Sequence, residues 1–189
     1  MKRLLFSSLV ACSLLTGSAF AQGMASADHG MPAYHTEVLK PDLPSPRKEM
    51  TGTIDGVKIT INYGSPSLKG RVIWGGLEPY GKVWRAGANE ATRITFGSDV
   101  TIDGKKIGAG TYGLFVLPEK EGAWSVIFNA TAEQWGAFKY DESKDVLRVK
   151  VAPAKLGEPV EALAYMIEGK SIELVWGDLK LAVPVKAAM

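Results

Sequence analysis

Cysteine occurs once in the 189 residues, at position 12, and histidine twice, at 29 and 35, so the chain beyond residue 35 has neither. This double absence excludes more chemistry than any motif in the chain supplies. A Ser-His-Asp triad, a Cys-His pair and a histidine-based zinc site each need a residue type that the body of the chain lacks. A single cysteine closes no disulfide within the chain, so stability has to come from a hydrophobic core. Long apolar runs are also missing: after residue 21 nothing approaches the roughly 20 consecutive apolar residues of a spanning helix. No Gly-rich phosphate loop is present. With 46% hydrophobic and 22% charged residues, the composition is that of a globular protein and excludes a disordered chain.

What is present begins with an export pattern. Met1-Lys2-Arg3 is basic, Leu4 to Leu15 is mainly apolar, and Ala19-Phe20-Ala21 has the small residues of a cleavage site. Residues 1–21 are therefore expected to be a signal peptide, with a mature chain starting at Gln22 in the periplasm or outside the cell. The alternative is a lipoprotein anchored at Cys12, since Leu9-Val10-Ala11-Cys12 resembles a lipobox. Losing Lys2 and Arg3 reduces the 22 basic side chains to 20, equal to the 20 acidic ones. A neutral mature chain has no electrostatic footprint for nucleic acid, so none is expected as a partner.

From 22 to 47 the chain carries prolines at 32, 41, 44 and 46 and no apolar period, which predicts a flexible arm. Met24, His29, Met31 and His35 lie in it, and thioether with imidazole is a ligand set suited to Cu(I). Beyond the arm, Val57, Ile59, Ile61 and Tyr63 alternate with Lys58, Thr60 and Asn62 as a half-buried strand does. Similar runs lie near 92–96, 99–103, 111–117, 123–129, 145–151, 160–167, 171–176 and 179–185. Asp55-Gly56 and Asp103-Gly104 are type I′ hairpin signals, and Asp178 lies at a third turn signal. Residues 131–139 are the one stretch with helical character. The pattern predicts one all-β domain over 48–186, an antiparallel, jelly-roll-like sandwich of about eight to ten short strands with at most one short helix. Trp124, Val126 and Phe128, and likewise Ile172, Leu174 and Trp176, are expected in its core.

The segment from Ser65 to Arg93 departs from alternation. It is rich in glycine and carries Lys69, Arg71, Lys82, Arg85 and Arg93 against Glu78 and Glu90. Long structured loops on β scaffolds tend to hold binding residues. Arg71, Tyr80, Trp84, Arg85, Asn89 and Glu90, with Trp135 from the later stretch, are the candidate ligand-binding set, for a small-molecule, glycan or anionic ligand. The competing expectation is that Trp74 and Trp84 plug the end of the sandwich while Glu90 pairs with an arginine to order the loop. No cofactor is called for.

Several runs also resemble a bacterial secreted family catalogued as domain of unknown function 2911. They are Ile61-Asn62-Tyr63-Gly64-Ser65-Pro66, Pro79-Tyr80-Gly81-Lys82-Val83-Trp84-Arg85, Gly87-Ala88-Asn89-Glu90-Ala91-Thr92 and Gln134-Trp135-Gly136-Ala137. The resemblance covers roughly 45–185, implies a secreted β-rich domain, and does not extend to the arm's His and Met residues. The expected function is a non-enzymatic ligand-binding or envelope-associated module using the 65–93 loop. Its alternatives are a carboxylate-dependent hydrolase using Glu90 with Arg85, a purely structural or interaction domain, and copper binding by the arm.

Overall fold

The computed structural model describes residues 34–189. The leader with Cys12, and Met24, His29 and Met31 of the arm, lie outside the described residues. The strands run in chain order as β1 (Tyr34–Lys40), β2 (Arg47–Ile54), β3 (Val57–Gly64), β4 (Thr92–Phe96), β5 (Val100–Ile102) and β6 (Lys105–Ile107). They continue as β7 (Gly110–Leu117), β8 (Trp124–Asn129), β9 (Asp145–Val151), β10 (Ala154–Glu168) and β11 (Ser171–Ala187). All pairs are antiparallel. One sheet has the order β1-β2-β3-β4-β7-β8-β9 and the other β10-β11-β5-β6, and they face each other as the expected sandwich.

Alternation decides which residues fill it. Val57, Ile59, Ile61 and Tyr63 of β3 share one buried cluster with Trp124, Val126 and Phe128 of β8. Ile172, Leu174 and Trp176 of β11 join them from the opposite sheet. Each such side chain contributes roughly 1.5–3 kcal/mol on burial. The void among Ile94, Phe128, Tyr165 and Leu181 measures only about 20 Å³, so the core between the sheets is filled there. Both Asp-Gly pairs turn as predicted: Asp55 and Gly56 have φ of 49° and 79°, Asp103 and Gly104 of 50° and 72°. Among the described residues no helix is long and apolar enough to cross a membrane.

Three local expectations are corrected. Residues 34–40 do not belong to a flexible arm: they form β1, paired with β2 from Tyr34↔Gly52 to Lys40↔Arg47. An edge strand is held by backbone bonds, which leave no apolar signature. Residues 131–139 form turns, not a helix, because the backbone around Gln134 and Gly136 bonds to the 89–91 segment. The Gly177-Asp178 signal is no hairpin. Gly177 (φ 61°) lies at a register shift inside β11, so two expected strands are one. With β1, β2 and β6 added, the described residues hold eleven strands.

Candidate functional site

The 65–93 loop divides into a plug and a support. Trp74, Trp84, Trp124 and Trp176 meet at the end of the core, with ring centroids 4.8–5.9 Å apart. Trp84 is 3% exposed, stacks on Trp176, and donates from Nε1 to the Gly87 carbonyl at 3.1 Å. Its backbone exchanges both hydrogen bonds with Val116. Trp84 is therefore a core residue that offers no face to a ligand, which corrects its place in the candidate set.

Arg71 turns back on its own loop, donating to the carbonyls of Leu68 at 3.0 Å and Ser67 at 2.6 Å. Tyr80 is partly exposed on the same loop. Arg85 is close to Glu78, whose carboxyl burial pushes up to about 7 against the opposing charges of Arg85 and Arg71. Glu90 pairs with a different arginine, Arg47, so the Glu90–Arg85 couple of the hydrolase expectation is also corrected.

The rest of the loop supports a groove on the outer face of the seven-stranded sheet. Two close approaches set its walls. A Cβ on Gly64 would fall 2.1 Å from the Ala88 carbonyl oxygen, so the glycine lets residues 86–91 lie directly on the end of β3. Asn89, at a φ of 63°, turns the chain there and donates from Nδ2 to the Ser45 carbonyl at 3.3 Å. A Cβ on Gly113 would fall 2.7 Å from the Thr131 carbonyl oxygen, so residues 131–140 settle over the sheet in the same way.

That second wall is held firmly. Ala91 N–H donates to the Gln134 carbonyl at 3.0 Å, Gly136 N–H to the Asn89 carbonyl at 3.1 Å, and Glu90 and Trp135 form an antiparallel bridge. Beneath it Ala91, Phe115 and Ile127 form a second buried cluster with Ala137 and Tyr140 packed on it. The Tyr140 hydroxyl donates to Asp145 at 2.7 Å and accepts from Arg148 Nη2 at 2.6 Å. Burial, with the bond to Asp145, pushes that hydroxyl up to about 12 and keeps it a neutral donor.

Arg47, the first residue of β2, lies at the groove floor and is 6% exposed. Its Nε donates to Asn62 Oδ1 at 2.5 Å, its Nη1 to the Glu90 carbonyl at 3.3 Å, and its Nη2 to the carbonyls of Asn62 and Ala91 at 3.2 and 3.5 Å. The Glu90 carboxylate stands 3.6 Å from Nη1. Desolvation lowers the arginine's pKa, with Glu90 opposing and Arg93 adding to the shift. Arg93 continues the row, reaching Asn62 Oδ1 at 3.5 Å and Glu133 Oε1 at 3.0 Å. Asn62 Nδ2 donates to Glu49 at 3.2 Å. Glu133, Arg93, Asn62, Arg47 and Glu90 thus form a row with a carboxylate at each end and two guanidinium groups flanking an amide. Leu39 and Lys40 close the third side of a groove of about 380 Å³.

Of the sequence candidates, Glu90 lines this groove, Asn89 sets its turn, and Trp135 is paired to Glu90, while Arg71, Tyr80 and Arg85 are not in its lining. His35 lies on β1. Among the described residues no group of three or more His, Cys, Asp or Glu side chains converges as a metal site would require. Arg47, Asn62 and Arg93 escaped sequence reasoning. The available signal was that Asn62 and Arg93 fall on the polar, outward positions of strands that the loop returns to cover.

A family model described as protein of unknown function (DUF2911) matches residues 45–185, from just before β2 into β11. No curated protein and no solved structure matches the chain.

Proposed function

We propose that this chain, which belongs to the DUF2911 family, is an exported binding module that holds a hydroxyl-rich ligand, a glycan segment, in the groove on the outer face of its seven-stranded sheet. The observation that carries the reading is the row of carboxylate, guanidinium and amide groups at the groove floor. A sugar hydroxyl donates and accepts at once, and the solvent-facing members of the row serve both roles: Glu90 and Glu133 accept, and Arg93 donates. A phosphate or carboxylate only accepts. It would face Glu90 and Glu133, and it would find Arg47 already committed to three carbonyls and an amide oxygen. Lys40, Arg47 and Arg93 carry one charge more than Glu90 and Glu133, and Glu49, bonded to Asn62, removes that excess. The volume lies within the roughly 300–1,000 Å³ of small-molecule sites.

Export rests on the leader pattern of Met1-Lys2-Arg3 through Ala19-Phe20-Ala21. The intact mass of protein recovered outside the cytoplasm should correspond to a chain starting at Gln22. A diacylated species starting at Cys12 would replace the soluble module with an anchored one.

The binding reading is tested by thermal shift with a panel of neutral glycans and a panel of organic and inorganic anions. A ligand at 100 times its Kd adds about 2.7 kcal/mol, which for a domain of this size raises Tm by roughly 5–10 °C. The expected outcome is stabilisation by members of the glycan panel and its loss in Arg93→Ala. Stabilisation by anions alone, or an unchanged glycan shift in Arg93→Ala, would contradict it.

A further inference from the structure

We infer that the groove continues onto an aromatic platform formed by Trp135 and Phe138, so that the site takes an extended saccharide chain and not a single sugar. The inference rests on the glycan reading of the groove and adds to it the length of the ligand. Trp135 is 61% and Phe138 86% exposed, whereas Phe96, Phe115 and Phe128 are each almost wholly buried. Both exposed rings lie on one loop, three residues apart. That loop is not loose: it is bonded to residues 89–91 on one side and fastened through Tyr140, Asp145 and Arg148 on the other. A fastened loop that keeps two large rings in water is preorganised to present them.

The direction of the platform follows from the Glu90–Trp135 bridge. Opposite residues of an antiparallel pair project from the same face of the ladder. Glu90 lines the groove, and Trp135, which is bridged to it and follows the lining residue Gln134 without being in the lining itself, leaves the backbone on the groove side at its rim. Phe138 is laid against Gly136, where a Cβ would stand 3.1 Å from its Cδ2 and Cε2. Its ring therefore lies beside the residue that follows Trp135, which puts the second ring next to the first along the loop.

The two parts suit the two surfaces of a sugar polymer. Hydroxyls at the ring edges meet the polar row, and the C–H faces of the next units stack on the indole and phenyl rings. A folded protein partner fits less well, since specific interfaces bury about 1,200 Å² or more and this one would centre on a narrow groove and two rings. An anionic membrane surface calls for a basic rim, whereas Glu133 and Glu90 are on this one.

The test is an array of purified neutral saccharides of one to eight units, probed with the wild-type chain, the Trp135→Ala/Phe138→Ala double variant, Trp135→Phe and Arg93→Ala. Wild-type affinity should climb with chain length. The double variant should hold the shortest bound saccharide within about twofold of wild type and lose about tenfold or more on the longest, the combined loss of two ring contacts. Trp135→Phe, which keeps a ring, should recover most of that loss. Arg93→Ala should lose short and long alike. Length-independent wild-type binding, or a double variant that matches wild type on the longest chains or loses short and long equally, would overturn the platform while leaving the groove. Binding to no saccharide, or full binding by Arg93→Ala, would overturn the groove and the platform with it. Both rings are exposed, so unchanged Tm in the double variant verifies that the comparison is between folded proteins.

Discussion

Arg47 and Arg93 stand side by side on the same polar row, yet their environments assign them different work. Arg47 is buried and supplies donors to the carbonyls of Asn62, Glu90 and Ala91. Arg47→Ala strands those acceptors and the Glu90 carboxylate, and should cost about 3 kcal/mol, the low end for a broken buried pair because Glu90 is half in water. Arg93 is more exposed and pairs with the exposed Glu133, so Arg93→Ala should cost less than about 1 kcal/mol. Urea midpoints for the two variants check both values. An unchanged midpoint in Arg47→Ala would mean that the 89–91 turn holds without it.

Glu78 offers a second residue-scale prediction. Its folded carboxyl titrates at about 7 against an ordinary 4.5, because it is buried. The folded state then binds the proton more tightly than the unfolded state does, so stability falls as pH rises from about 4.5 to 7, and the penalty is fully present above 7. Glu78→Gln should flatten that slope and gain about 1–2 kcal/mol at pH 8, with allowance for screening at a site partly open to water. Denaturation midpoints across pH 4–8 that fall as steeply in Glu78→Gln as in wild type would contradict it.

At the scale of elements, side-chain alternation made most strands legible. The run at 92–96 buries every second residue, the run at 57–63 buries Val57, Ile59, Ile61 and Tyr63 as its alternation asks, the run at 124–129 is buried throughout because a loop covers its outer face, and the Asp-Gly pairs turn where they should. β1 was illegible for a physical reason. Its burial alternates only between half-buried and exposed at Tyr34, His35 and Thr36, and its hold on β2 is made by the main chain. A chain beginning at residue 45 should therefore be less stable than one beginning at 34, by about 1–3 kcal/mol, and should show exposed-edge self-association. Equal urea midpoints and equal sedimentation for the two chains would contradict this. The 86–91 turn depends in the same way on Gly64. Gly64→Ala brings a methyl into the Ala88 carbonyl and should cost about 1–3 kcal/mol, since backbone gives less readily than a flexible side chain.

Over the whole molecule the division of labour is between an interior that is filled and an outer sheet face that two loops return to cover. The Trp74–Trp84–Trp124–Trp176 cluster closes one end, which is why the tryptophan-rich loop read as a binding region from sequence. Indole rings next to glycines look the same in a plug and in a cleft. Glu90 and Trp135 were legible because a charged residue and an aromatic stand out in Gly-containing stretches. The row that Glu90 joins was not, because Arg47, Asn62 and Arg93 come from β2, β3 and β4 and converge only through strand register, with Glu133 added from a loop. The measurement that decides between the two faces is an amide chemical-shift map of the ¹⁵N-labelled chain titrated with the saccharide that stabilises it most in the thermal screen. Shifts should concentrate at Asn62, Ala91, Arg93, Gln134 and Trp135 and leave Arg71, Tyr80 and Arg85 unmoved. Shifts centred on Arg71, Tyr80 and Arg85, or none with any glycan, would contradict the assignment of the groove.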